Sequence, residues 1–149
     1  MKPEICTGRL NLVACIIAYR YNDNGSKEFF MIQREDEKFA LIGGMGACCL
    51  SENMYEFAKR EFDFDMNTDI SIKELEYVDA TLNSDGTTLT LFFCYHYKSY
   101  NETNLDGKWF FIEEIKVFSD MNNIAFDGYR HVSRFLRRSV ILGQKLSKG

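Results

Sequence analysis

Glu52, Glu61 and Asp65 have the residue types and spacing needed to hold a divalent metal ion. Residues three and four apart share one face of a helix. Glu61, Phe64 and Asp65 therefore line up, with Glu61 and Asp65 one turn apart, and Glu52 enters from the loop before the helix. Carboxylates that converge on one spot concentrate negative charge, which is unfavourable unless a divalent cation is bound. Mg2+ held by one or two carboxylates and by the substrate's own phosphates is the usual arrangement where phosphates react. Phe64 removes one oxygen donor from this face, and Asp63, two residues from Glu61, points elsewhere. A one-metal site is expected rather than a crowded one. Taken by itself, the run Arg60-Glu61-Phe62-Asp63-Phe64-Asp65 reads far more readily as the solvated face of an amphipathic helix, and the surrounding sequence is what shifts that balance.

The surrounding pattern supplies elements to position these groups. Leu10 to Tyr21 is apolar and β-branched, as in a buried central strand. Asn22-Asp23-Asn24-Gly25 is a turn signal, and Glu28 to Arg34 forms the hairpin partner. Phe39 to Ile42 is a short strand ending in Gly43-Gly44, a flexible backbone suited to close approach by metal or phosphate. Ser51 is the expected N-cap of the acidic helix, whose apolar stripe is Met54, Phe57, Ala58 and Phe62. Ile70 to Leu82 and Thr87 to Tyr97 are further strands, separated by the turn Asn83-Ser84-Asp85-Gly86. Trp109 to Ile112 is a short strand leading into a brief helix, Glu113 to Phe118. Tyr129, Val132, Phe135, Leu136, Val140 and Ile141 recur at helical spacing and predict an amphipathic helix over about 128–145. Strands mixed with two or three helices predict an α+β chain with helices on both faces of a mixed sheet.

The stretch from Gly46 through Glu52 to Arg60-Glu61-Phe62 resembles the box of the Nudix hydrolases, G-x5-E-x7-R-E-U-x-E-E-x-G-U, with U a bulky apolar residue. Gly46, Glu52, Arg60, Glu61 and Phe62 match, and Asp65 stands where the box has its last Glu. Phe64 replaces a Glu, Asn67 the Gly and Thr68 the final apolar residue. If Gly44 is the box glycine instead, the loop carries a two-residue insertion before Glu52. The resemblance extends over roughly Asn11 to Phe118. Phe29 to Arg34 is similar to the family's second strand, which often ends in Gln-Arg near the substrate. Phe39 to Gly44 is similar to the stretch that usually ends Pro-Gly-Gly. Lys108 to Ile115 is similar to the late aromatic strand and its following acids.

The resemblance implies an α/β/α sandwich around a mixed sheet. It also implies Mg2+ or Mn2+ as cofactor, with Glu52, Glu61 and Asp65 as metal ligands. Glu61 would serve as ligand or base, and Arg60 would orient the acids, since a guanidinium can bind two carboxylates. Gln33, Arg34, Gly43 and Gly44 are the implied substrate contacts, and Phe39 or Tyr21 are candidates to stack on a base. Glu113 or Glu114 is a further candidate acid, although both also read as ordinary helix-starting acids.

Composition narrows the classes. The chain has 149 residues, 46% of them hydrophobic, which suits one packed domain over 1–149 and is too short for two. No apolar run reaches the length of a membrane span, and no apolar signal core follows Met1. Five cysteines, at 6, 15, 48, 49 and 94, form neither a disulfide framework nor a zinc pattern, so reduced thiols in the cytoplasm are expected. His96 and His131 stand alone. The net charge of −4 gives no general attraction for nucleic acid. Gly128 to Gly149 nevertheless contains Arg130, Arg134, Arg137, Arg138, Lys145, Lys148 and no acid. That tail is either the polar face of a docked helix or a surface for an anion such as RNA.

Two functions fit. One is metal-dependent hydrolysis of a nucleoside diphosphate linked to another moiety. The other is a catalytically impaired module of the same fold that binds nucleotide, RNA or a protein partner without cleaving.

Overall fold

The computed structural model describes residues 11–46, 53–98 and 107–148, with side chains described at 11–44, 53–98 and 107–138. The strands are β1 (Asn11–Tyr21), β2 (Lys27–Gln33), β3 (Phe39–Ala40) and β4 (Ile42–Gly46), then β5 (Glu76–Leu82), β6 (Thr88–His96) and β7 (Gly107–Phe110). The helices are α1 (Met54–Met66), α2 (Ile112–Asp120) and α3 (Gly128–Lys148), and a 3-10 turn spans Ile72–Glu74.

β1 is the axis of a mixed sheet ordered β3-β2-β1-β6-β5. It pairs in parallel with β6 from Asn11–Thr88 to Tyr19–His96, while β5 pairs antiparallel with β6. Its other edge is shared. β2 pairs with Tyr19 to Tyr21, and β4 pairs with Leu12 to Ile16. The sheet forks there, and the fork places Gly43 opposite Cys15 and Gly44 opposite Ala14. It also divides the stretch expected as one strand over Phe39–Ile42. Phe39 and Ala40 pair with β2, whereas Ile42 onward pairs with β1.

Alternation along β1 builds two cores, because successive side chains point to opposite faces. Ala14, Ile16 and Ala18 meet Phe57, Ala58, Phe62 and Met66 of α1. Ile17 faces the other way, with Phe29, Met31 and Phe110, against Ile115 of α2 and Val132 and Phe135 of α3. Helices thus cover both faces, giving the expected sandwich of α+β class.

Local chemistry sets the boundaries. Asn53, not the expected Ser51, is the N-cap of α1, its side chain accepting from Glu56 N. Ser51 lies outside the described residues. The αL conformation of Asn67 ends the helix (φ 51°, ψ 52°), a conformation that asparagine tolerates better than most residues. Asn67 therefore does the structural work that a glycine usually does at this point. At Asn22-Gly25 the Asn22 Oδ1 accepts from the N–H groups of Asn24 and Ser26, both at 2.9 Å.

α3 is anchored on β5. Arg134 reaches Asp79 Oδ2 at 2.5 Å, and Arg138 lies 3.5 Å from the same oxygen. Arg138 Nη1 also donates to Val78 O at 2.7 Å, where β5 bulges between Tyr77 and Asp79. Among the described residues no helix is long and apolar enough to cross a membrane.

Candidate functional site

The β1 fork and the inner flank of α1 bring four of the expected site residues together: Gly43, Gly44, Glu61 and Asp65. Phe57, Phe62 and Met66 are buried and fix the rotation of α1 on the sheet. That rotation turns Glu61 and Asp65 toward β4. A Cβ built on Gly44 would stand 2.6 Å from Glu61 Oε2, so the carboxylate occupies the space a side chain would need. Gly43 N donates to Asp65 Oδ2 at 3.3 Å. Gly43 has φ 152°, and a Cβ there would meet Ala14 O at 2.0 Å. The neighbouring strand requires glycine at 43, whereas at 44 a side chain would displace the acid.

The electrostatics follow from this packing. Burial pushes the Asp65 carboxyl above its ordinary value, opposed by the Gly43 N–H bond. Glu61 is half-buried beside it. Two hard oxygen donors one turn apart suit Mg2+ or Mn2+. Glu61 and Asp65 would hold a single such ion, with other donors supplied from outside this pair. Among the described residues no three His, Cys, Asp or Glu gather at metal-binding spacing. Glu52, expected as a third ligand, lies outside the described residues.

Phe64 is 85% exposed, so the apolar group standing in place of a carboxylate packs against nothing extensive. Arg60 is exposed, its guanidinium 5.5 Å from the Phe57 ring centre. Gln33, the last residue of β2, and Arg34 just after it line a cleft of about 540 Å3 with Glu35, Glu37, Phe39, Gly107 and Lys108. Glu61 and Asp65 do not line it. Arg34 lies 3.6 Å from Asp36 and 4.6 Å over the ring of Phe126. Phe39 is buried in the core on the α2 and α3 side, and Tyr21 meets Tyr19 edge-on on that same side. Neither shares the face of Glu61, which removes both as stacking partners for a base held at the acids. Glu113 and Glu114 open α2, and Glu114 Oε1 accepts from Phe111 N at 2.9 Å, the role of an ordinary helix-starting acid.

Asp63 has a function the spacing does not reveal. Its Oδ1 accepts from Thr68 Oγ1 at 2.9 Å and from Ile70 N at 3.0 Å, and Lys59 pairs with its Oδ2. Thr68, where the box has an apolar residue, helps Asp63 to pin the chain leaving α1. The signal was present as a threonine and an aspartate five apart across a helix end. In the basic tail, Arg134 and Arg138 are engaged with β5, and Arg130 lies 3.7 Å from Asp127. These contacts agree with the polar face of a docked helix.

No family model matches the chain, and no curated protein matches it. Solved structures do. The NUDIX domain of Shewanella oneidensis NrtR, complexed with ADP ribose, superposes with a TM-score of 0.68 at 16% identity, covering 93% of each chain. The C. elegans Ap4A hydrolase gives 0.57 at 17% identity, over 89% of this chain and 98% of that one. A MutT/nudix family protein from Enterococcus faecalis gives 0.57 at 18% identity, over 70% of this chain. The present chain spans 44% of that protein's length. Identities this low establish the fold alone. The chain is a Nudix-fold protein.

Proposed function

We propose that the protein hydrolyses a nucleoside diphosphate linked to another moiety, with Mg2+ or Mn2+ at Glu61 and Asp65. The observation that carries this reading is the convergence of the two carboxylates on Gly44 and Gly43. A divalent cation there would neutralise the diphosphate and activate a water. Glu61 would accept the proton of that water as its oxygen attacks phosphorus and the bridging P–O bond breaks, the displaced phosphate group leaving with the bridging oxygen. Asp65, held by Gly43 N, keeps its second oxygen for the ion. Arg60 orients the acids in this reading, Glu52 adds a ligand from the preceding loop, and Gln33 and Arg34 contact the substrate at the end of β2. The NrtR domain complexed with ADP ribose and the Ap4A hydrolase support a nucleotide ligand by analogy of fold.

A second reading rests on Phe64. An exposed phenyl ring where a carboxylate would add an oxygen donor suits a module that binds nucleotide without cleaving it.

The experiment separating them is phosphate release from a panel of nucleoside diphosphate derivatives with Mn2+, using wild type, Glu61→Gln and Phe64→Glu. Hydrolysis predicts turnover that Glu61→Gln abolishes and Phe64→Glu raises. Turnover unchanged by Glu61→Gln would remove Glu61 from the chemistry. Binding without turnover in wild type supports the module.

A further inference from the structure

The turn after β2 and the connection from α2 to α3 meet at a strained aromatic. Phe126 and Asp127 are consecutive residues in the left-handed region, with φ 56° and 57°. A bulky side chain in that region is an outlier. The strain does not serve to bury the ring, since Phe126 is 77% exposed. Its ring meets the guanidinium of Arg34, whose Cζ lies 4.6 Å from the ring centre. An exposed cation–π contact is weaker than the strain of two such residues. Folding alone therefore does not account for a ring held outward at this point.

Arg34 is also one wall of the cleft of about 540 Å3 at the end of β2. A second cation lines it. Lys108 Nζ stands 5.5, 5.1 and 5.8 Å from the ring centres of Phe39, Phe110 and Phe118. Two carboxylates, Glu35 and Glu37, line it as well. Among the described residues Lys108, Glu35 and Glu37 take part in no ion pair. The chain thus presents a protruding ring, an open cleft beside it, and charges of both signs that are left for a partner.

Charge identifies that partner. A nucleic acid or an acidic peptide calls for net positive charge, and here Glu35 and Glu37 balance Arg34 and Lys108. A surface with equal numbers of both charges, a knob and a hole is complementary to its own copy. About a twofold axis residue i meets residue j and j meets i. Each Phe126 can then enter the other chain's cleft, while each Lys108 faces the other chain's Glu35 and Glu37. The volume allows it, because a cavity of about 150 Å3 already holds a benzene ring. We propose that this face joins two copies of the chain in a twofold dimer, anchored by the Phe126 of each in the cleft of the other. The dimer is independent of the metal reading, since Glu61 and Asp65 do not line the cleft.

Sedimentation equilibrium over a range of micromolar concentrations tests it. The proteins are wild type, Phe126→Gly, Lys108→Glu and the double variant Glu35→Lys with Glu37→Lys, and circular dichroism checks the fold of each. Wild type is expected to dimerise. Phe126→Gly is expected to keep the melting temperature of wild type, because glycine adopts the left-handed region without strain, and to dimerise at least about tenfold more weakly. Lys108→Glu alone and the double variant alone are expected to stay monomeric where wild type is dimeric. Mixed in equal amounts, these two are expected to form a heterodimer, since the exchanged charges again oppose each other. Monomeric wild type throughout, wild-type dimerisation by Phe126→Gly, or no association in the mixture would overturn the dimer. Monomeric wild type whose affinity for a non-hydrolysable nucleoside diphosphate analogue falls in Lys108→Glu would overturn it too, and would give the cleft to the substrate.

Discussion

Glu61 Oε2 occupies the space in which Gly44 would carry a side chain, 2.6 Å from the position of its Cβ. Helix and strand are fitted to each other at that point, and the fit predicts different outcomes at two adjacent glycines. In Gly44→Ala the obstacle is the end of a flexible side chain, so stability should fall by no more than about 1 kcal/mol. Glu61 must swing away, and Mn2+ affinity should fall by about tenfold or more. In Gly43→Ala the obstacle is the backbone oxygen of Ala14 at 2.0 Å, and the backbone has φ 152°. That variant should lose about 3 kcal/mol or more. Urea unfolding with parallel Mn2+ titration separates the two. Equal loss of stability at both positions would contradict the placement of Glu61.

Asp65 gives a pH signature. Its carboxyl is raised above the ordinary 3.8 by burial, against the Gly43 hydrogen bond. A raised acid holds its proton more tightly in the folded state. Its contribution to stability therefore grows as pH falls through the raised value toward 3.8, and its charged form costs stability at neutral pH. Asp65→Asn should match or exceed wild type in stability at pH 7, with any gain fading on acidification through that window. Because protons compete with metal for the carboxylate, Mn2+ affinity should begin to fall at a pH above the ordinary aspartate range. Thermal unfolding and calorimetry across pH check both. Lower stability of Asp65→Asn at neutral pH would show that the Gly43 bond outweighs burial.

Asp63 is predicted to matter for folding rather than chemistry. Asp63→Ala removes the acceptor for Thr68 Oγ1 and Ile70 N together with the Lys59 pair. The expected loss is about 1–3 kcal/mol in urea unfolding, with Mn2+ affinity unchanged in the folded protein. Thr68→Val should cost less, about 1 kcal/mol, because the Ile70 bond remains. A metal-binding defect in folded Asp63→Ala would place Asp63 in the site instead.

Much of this was legible in the residues. The spacing of Phe57, Ala58 and Phe62 located α1 and its buried side, and with it the direction of Glu61 and Asp65. Apolar and β-branched runs bounded by the turns at Asn22 to Gly25 and Asn83 to Gly86 located β1, β2 and β6. What was not legible depended on partners distant in sequence. Nothing local says that Ala40 pairs with β2 while Ile42 pairs with β1, because that break comes from competition for one edge of the sheet. Gln33 and Arg34 were read by resemblance as close to the substrate, yet the cleft they line does not include the acids. Asn67 and Thr68 looked like losses from a motif. In three dimensions Asn67 supplies the left-handed helix end and Thr68 a bond to Asp63. Phe64 alone remains without a structural reason for its replacement.

The proposed hydrolysis requires that Glu61 and Asp65 hold metal. The most direct measurement is calorimetric titration of Mn2+ into wild type and Glu61→Gln, each with and without a non-hydrolysable nucleoside diphosphate analogue. Wild type is expected to bind the ion and to bind it more tightly when the analogue is present, and Glu61→Gln is expected to lose both effects. Undetectable Mn2+ binding by wild type with the analogue present, or identical isotherms for the two proteins, would contradict the account.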